Sequence, residues 1–324
     1  MRTDTMDYYR ITRDFSQAGF FETDSIKNIL RDLKSATNSG GLVAIAGMSG
    51  SGKTVSLWRL QEEMAREGKV IISRSLFVEK ERVTLASLIN ALFFDLSPKK
   101  DVLIPSQGER RERGLQELIK QGKKPVALFI DEAHELHSKT LKGLKRLIEV
   151  VKQSGNVLTV VLIGHPKLKN DLERPTMAEI GHRTKIYTFD GVADSRREFI
   201  EWLLDRCSDE KTSPEDILQP EAIELIAERS ATALQIHENL SKILVAGHET
   251  GERPISAALV ESVLMNDHSA WVATITRHGY DVRSLSEFLN VKQSEVKQLF
   301  AGQLDPMRAN ELNDQLKVAG LPGR

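Results

Sequence analysis

Cysteine is nearly missing from this chain. Cys207 stands alone among 324 residues and can form no internal disulfide, which fits a reducing cytoplasm. It sits in Trp202-Leu203-Leu204-Asp205-Arg206-Cys207, a helical pattern that is no setting for a nucleophile. An excess of one charge is missing too. With 45 Lys and Arg against 46 Asp and Glu, no global basic field demands nucleic acid, although a local stripe can be basic on a neutral whole. No apolar run approaches the ~18 residues of a membrane span, and Met1-Arg2-Thr3-Asp4-Thr5-Met6-Asp7 holds no apolar leader core. Internal repeats and low-complexity stretches are also absent. These absences lead to the expectation of a soluble cytoplasmic protein with no membrane partner. The length suits two domains, or one large domain with an appendage.

What is present concentrates in Gly47-Met48-Ser49-Gly50-Ser51-Gly52-Lys53-Thr54. The apolar run Leu42–Ala46 precedes it, and a helical pattern from Val55 follows. This is the Walker A spacing G-x-x-x-x-G-K-[ST] in strand–loop–helix context. The glycines let backbone N–H groups curl around an anion, and the helix N-terminus adds its partial positive charge. Lys53 is expected on the β- and γ-phosphates and Thr54 on Mg²⁺. Residues 47–55, Val55 included, form the expected nucleotide cradle.

Pro125-Val126-Ala127-Leu128-Phe129-Ile130-Asp131-Glu132 is an apolar strand ending in two carboxylates, the Walker B pattern. A run without alternation suits a central parallel strand, and ligands sit at the carboxyl ends of such strands. Asp131 is expected to orient Mg²⁺, mainly through bound water, and Glu132 to polarise the attacking water. Asp131-Glu132-Ala133-His134 also spells a helicase box. The length left after this strand has little room for a second RecA-like domain, so His134 reads as a helix-start residue beside the site.

Strands are expected at Gly41–Ala46, from Val70, at Val126–Ile130, Val157–Gly164 and Lys185–Phe189. Helices are expected at Ser25–Thr37, from the phosphate loop to near Gly68, and at Leu85–Leu96, Gly114–Gln121 and Ser138–Gln153. Alternation of this kind argues a parallel sheet. From about Gly191 only helical patterns follow. The fold class expected is α/β: a P-loop NTPase with a five-stranded parallel sheet, a C-terminal helical lid and a small helical tail. The expected divisions are a lead-in segment 1–24, a nucleotide-binding domain 25–190, a lid 191–268 and a helix–turn–helix-like tail 269–324.

Together these pieces resemble the AAA+ ATPases of transposition systems, the MuB, TnsC, TniB and IstB group, and the related ExeA-like ATPases. Gly19-Phe20-Phe21-Glu22-Thr23 is similar to the MuB segment before the first helix. Ile163-Gly164-His165-Pro166-Lys167-Leu168 is similar to the G-x-P-x-L turn of the ExeA-like proteins. The resemblance implies ATP and Mg²⁺ as ligands, His165 as the polar sensor-one residue, and hydrolysis between subunits of a homo-oligomeric ring or filament. It also implies an arginine reaching the neighbour's γ-phosphate, for which Arg183 is the first candidate and Arg174 the second. Gln235 stands where a sensor-two arginine is usual. Being neutral, it implies looser coupling of the lid to the γ-phosphate and a persistent ATP state.

Lys139, Lys142 and Arg146, with Lys145 nearby, stripe the helix Ser138–Gln153 opposite Leu141, Leu144 and Ile148. Lys80 and Arg82 could join them in an assembly. This set is the candidate contact with double-stranded DNA, tracking phosphates without reading bases; a solvated helix face is the plain alternative. In the tail, Ser284–Leu289 and Ser294–Phe300 fit helix–turn–helix, with Ser294 as cap and Lys297 and Gln298 exposed. A protein-docking or regulatory role competes there with DNA reading. The resemblance implies an ATP-dependent transposition regulator that assembles on DNA, engages a transposase, with a targeting factor as a further candidate partner, and is dismantled by hydrolysis. The alternatives are an ExeA-like secretion ATPase, and a signalling or defence ATPase with a docking tail.

Overall fold

The computed structural model describes residues 2–74, 83–97, 104–264, 270–301, 303–319 and 321. Strands β1 (Gly41–Ala46), β2 (Ile71–Arg74), β3 (Val126–Ile130), β4 (Leu158–Gly164) and β5 (Thr184–Thr188) form one parallel sheet in the order β2-β3-β4-β1-β5. Ala46 lies opposite Gly164 and Thr188, and Ile130 opposite Leu162. That register brings the carboxyl ends of β1, β3 and β4 to one edge.

Both faces of the sheet are covered, which is why the central strands carry apolar residues without alternation. The pleat still sends successive side chains to opposite sides. Leu42, Ala44, Leu128, Ile130, Val160 and Leu162 join the core beneath the helices Leu85–Leu96, Gly108–Gly122 and Ser138–Gln153. Val43, Ile45, Ala127, Phe129, Val161 and Ile163 join the core beneath Asp24–Ser39 and Lys53–Glu67. Thr23 caps the first of these, its Oγ1 accepting from Ile26 N at 3.2 Å.

Two departures from expectation have plain causes. The helix expected from Gly114 begins at Gly108. Its first turns, Glu109-Arg110-Arg111-Glu112-Arg113, contain no apolar residue to mark a face, and Arg111 ties them down through Pro105 O and Ser106 O at 3.0 and 2.9 Å. Pro166 opens a helix, Pro166–Glu173, where the sequence suggests only a turn. Proline suits the first helical position because its missing N–H would have no partner there.

After β5 the helices Arg196–Cys207, Pro220–Arg229, Ala233–Thr250 and Ala257–Leu264 share a separate core that includes Ile200, Leu204, Ile226, Ile236, Leu240 and Leu244. Tyr9, Ile11 and Phe15 from the start of the chain are buried in it. Tyr9 Oη donates to Glu252 O at 2.8 Å, and Thr12 N donates to Cys207 O at 2.7 Å. Burial pushes the Cys207 thiol up to about 11, which keeps it protonated and inert.

The tail holds four described helices, Ala270–Arg277, Val282–Leu289, Gln293–Ala301 and Pro306–Val318. Ile275, Tyr280, Leu285, Val296, Leu299, Leu312 and Leu316 form its core. Asn290 takes the left-handed conformation, φ 54°, between the second and third helices. Ser294 lies inside the third helix, which starts at Gln293, rather than at its cap. Lys297 and Gln298 are exposed. No helix among the described residues is long and apolar enough to cross a membrane.

Because Tyr9 is fully buried and hydrogen-bonded, Tyr9→Ala is expected to destabilise the helical unit by about 3–5 kcal/mol, read as a lowered midpoint in urea unfolding.

Candidate active site

The phosphate loop joins β1 to the helix Lys53–Glu67. A Cβ on Gly47 would meet Phe189 O at 2.3 Å, so no larger residue fits without displacing backbone. Lys53 is 9% exposed, and its Nζ donates to Gly47 O and Met48 O, both at 2.7 Å. Burial draws its pKa down to about 8, against the opposing pull of Asp131 and Glu132. The ammonium has exchanged hydration for two carbonyl dipoles and two nearby carboxylates, and an anion seated in the loop would stabilise its charge.

Asp131 and Glu132 follow β3. Asp131 Oδ2 accepts from Thr54 Oγ1 at 3.4 Å, and Asp131 Oδ1 accepts from Glu132 N at 2.8 Å. A hydroxyl beside a carboxylate is the oxygen donor set a magnesium ion takes when it also binds phosphate. The donors present therefore fit the expected cofactor.

Glu132 takes the left-handed conformation, φ 52° and ψ 35°, a strained backbone of the kind found at functional positions. It turns its carboxylate toward two imidazoles: Oε2 lies 3.5 Å from His134 Nδ1 and 3.5 Å from His165 Nε2. The rings meet edge to face at 4.2 Å between centroids. Burial, reinforced by His165, pushes His134 down to about 3, so it is neutral near pH 7. His134 lies in a short 3₁₀ turn, Ala133–Glu135. His165 follows the last residue of β4 and precedes the helix Pro166–Glu173.

Two parts of the chain beyond the sheet close on this edge. From the lid, Leu234 N donates to Gly50 O at 3.1 Å. A cleft of about 330 Å³ is lined by the loop, Asp131, Glu132, His165 and, on the lid side, Ala233, Leu234 and His237. Gln235 is not among these lining residues. Its Oε1 accepts from Ala231 N at 2.8 Å, which bends the amide back on its own helix start. From the tail, Arg277 O accepts from Ser49 N at 3.0 Å and from His165 Nδ1 at 2.8 Å. Lys167 N donates to His278 O at 3.3 Å, and Asn170 Nδ2 to Tyr280 Oη at 2.9 Å. A Cβ on Gly279 would strike His165 Cβ at 2.5 Å, so the seam needs glycine there, at φ +89°. Sequence patterns pointed to neither contact. A backbone carbonyl has no residue signature, and Leu234 reads as an ordinary helix residue.

The remaining candidates lie elsewhere. Arg183 is at the amino end of β5, on the edge of the sheet away from the loop, with Nη1 on Glu149 Oε1 at 2.6 Å. Arg174 pairs with Asp171 at 3.3 Å and lies over the Phe288 ring of the tail, 5.9 Å from its centroid. Lys139, Lys142 and Arg146 are exposed as expected. Lys145 is not part of that free stripe, because Glu179 and Glu149 both pair with it. Lys80 and Arg82 lie outside the described residues.

The strand order, the loop after β1, the carboxylate pair after β3 and the helical lid define a P-loop NTPase fold of AAA+ type. A family model described as an AAA domain matches residues 36–172. The chain is 30% identical over 148 residues to general secretion pathway protein A of Aeromonas hydrophila, across 45% of this chain and 26% of that protein. It thus spans about a quarter of that relative's length. Among solved structures, Cdc6p from Pyrobaculum aerophilum superposes with TM-score 0.52 at 16% identity, covering 97% of this chain and 86% of that one. The Orc1 protein of Aeropyrum pernix in complex with DNA gives 0.50 at 15%, covering 96% and 88%. Drosophila ORC bound to DNA gives 0.51 at 16%, covering 98% and 84%. At these identities the structures establish the fold.

Burial draws the Lys53 pKa down to about 8, whereas a bound anion favours the ammonium. Nucleotide binding at pH 8.5 is therefore expected to take up protons, and binding should weaken as pH rises through that range. Calorimetry in buffers of different ionisation enthalpy measures the uptake, which should vanish in Lys53→Ala.

Proposed function

We propose that this chain is an ATP-dependent switch that assembles with copies of itself on duplex DNA, where it recruits or activates a transposase. The observation that carries the assembly reading is the position of Arg183. Thr184 lies opposite Leu42, near the start of β1, whereas the phosphate loop follows Ala46 at its end. At ~3.3 Å per residue the two are separated by roughly 15–20 Å along the strand, beyond the reach of an arginine side chain. Arg183 therefore cannot serve its own loop, but it is 65% exposed and available to a neighbouring subunit's γ-phosphate once Glu149 is displaced. A composite site of this kind makes assembly and nucleotide binding linked equilibria.

In this reading Lys53, Thr54 and Asp131 would hold a magnesium-bound triphosphate, whose γ-phosphorus is the electrophile. Glu132 orients water and accepts its proton. His165 senses the γ-phosphate end and is tied to the tail through Arg277 O, so the tail has a direct mechanical link to the loop. DNA is supported by the exposed Lys139, Lys142 and Arg146 and by a fold shared along nearly the whole chain with two proteins solved with DNA. The transposase rests on the MuB-like segment Gly19–Thr23. A second reading, an ATPase module serving a secretion pathway, is favoured by the 30% identity to general secretion pathway protein A.

Electron microscopy and sedimentation with duplex DNA test the proposal. Lys53→Ala should abolish ATP-dependent assembly, and Glu132→Gln should preserve it and prolong its life. Arg183→Ala should bind nucleotide but hydrolyse it at least tenfold more slowly. Replacing Lys139, Lys142 and Arg146 by alanine should flatten the log–log salt dependence of DNA binding by about 2–3 per subunit. Assembly indifferent to nucleotide and DNA would count against the switch and leave the secretion reading in place.

A further inference from the structure

The contacts of Glu132 with the two histidines do more than position a base. Glu132 Oε2, His134 Nδ1 and His165 Nε2 all lie within 4.8 Å of one another. Both carboxylate–imidazole separations are 3.5 Å. Ligand atoms at 2.0–2.1 Å around a tetrahedral zinc ion are spaced about 3.3–3.4 Å apart, so both carboxylate–imidazole separations are already close to that spacing, and the two ring nitrogens lie within 4.8 Å of one another. His134 Nδ1 is buried and makes no hydrogen bond to any of the described residues. A donor atom left in that state is costly unless something satisfies it.

The second imidazole is prepared from behind. Arg277 O can only accept, so the 2.8 Å contact places the hydrogen of neutral His165 on Nδ1. The lone pair of Nε2 then faces Glu132. A ligating histidine is commonly held in this way, one ring nitrogen on a backbone carbonyl and the other on the metal. Two imidazole nitrogens with one carboxylate oxygen suit zinc and its neighbours better than magnesium, which prefers an all-oxygen shell.

We propose that Glu132, His134 and His165 form a binding site for a transition-metal dication of the zinc class, separate from the magnesium position at Thr54 and Asp131. Three protein ligands leave a fourth position open to water. An ion held there occupies the carboxylate oxygen that would accept a proton from the attacking water, so the occupied site is an off state. The tail takes part, since its Arg277 carbonyl fixes the His165 tautomer. The inhibitory consequence rests on Glu132 being the base; the binding site itself does not.

The test uses the full chain without nucleotide, with Co²⁺ as spectroscopic probe and Zn²⁺ as competitor. One equivalent of Co²⁺ is expected to give the intense visible absorption of a tetrahedral site, and Zn²⁺ should bleach it. His134→Gln and His165→Gln, each checked for folding by circular dichroism, should weaken Co²⁺ binding at least tenfold, and Glu132→Gln should do the same. In wild type, Zn²⁺ stoichiometric with protein should suppress ATP hydrolysis, and excess Mg²⁺ should not restore it. Failure to bind Co²⁺, or binding that survives in the folded histidine variants, overturns the site. Binding as expected in a chain that does not hydrolyse ATP keeps the site and removes only its inhibitory role.

Discussion

Lys53 Nζ is held 2.7 Å from two backbone carbonyls, almost wholly out of water. An ammonium so placed has lost most of its hydration, and the carboxylates of Asp131 and Glu132 return only part of that loss. The surroundings follow from this constraint. Gly47 has to be glycine for the loop to pass under Phe189, the helix from Lys53 has to start where its N–H groups face the same space, and β3 has to end so that Asp131 and Glu132 come beside the end of β1. A parallel sheet covered on both faces is the arrangement that delivers all three to one edge.

The same edge is a meeting point for parts of the chain distant in sequence. The lid touches it through Leu234 and Gly50, and the tail through Arg277 with Ser49 and His165. Arg277 O takes two hydrogen bonds from two different functional elements, so moving the tail leaves both donors in need of partners at once. A rearrangement of the loop and a displacement of the tail thus share one free-energy term, the kind of coupling from which regulation can be built.

The sheet and the loop were legible in the sequence because their signals are local. Apolar runs in β1, β3 and β4 and the spacing from Gly47 to Thr54 depend on neighbours a few residues away. Asp131 and Glu132 were legible because their strand ends beside the loop. The pairing of Lys145 with Glu179 was not, since it depends on how the short helix after Pro175 packs. The burial of Tyr9 among helices that follow β5 was hidden for the same reason, whereas the bend of Gln235 onto Ala231 is local but depends on a side-chain rotamer that no spacing marks. The start of the helix at Gly108 was missed because polar turns carry no periodicity.

The tail's apolar core, built on Ile275, Tyr280, Leu285 and Leu312, is distinct from the cores beneath the sheet and the lid. Its junction with the sheet, by contrast, closes at Gly279, where even one methyl group would meet His165. A lesion at that point would cut a communication line while leaving both correspondents intact. Damage here would show itself as deafness between two healthy bodies, and a survey of melting temperatures alone would pass over it.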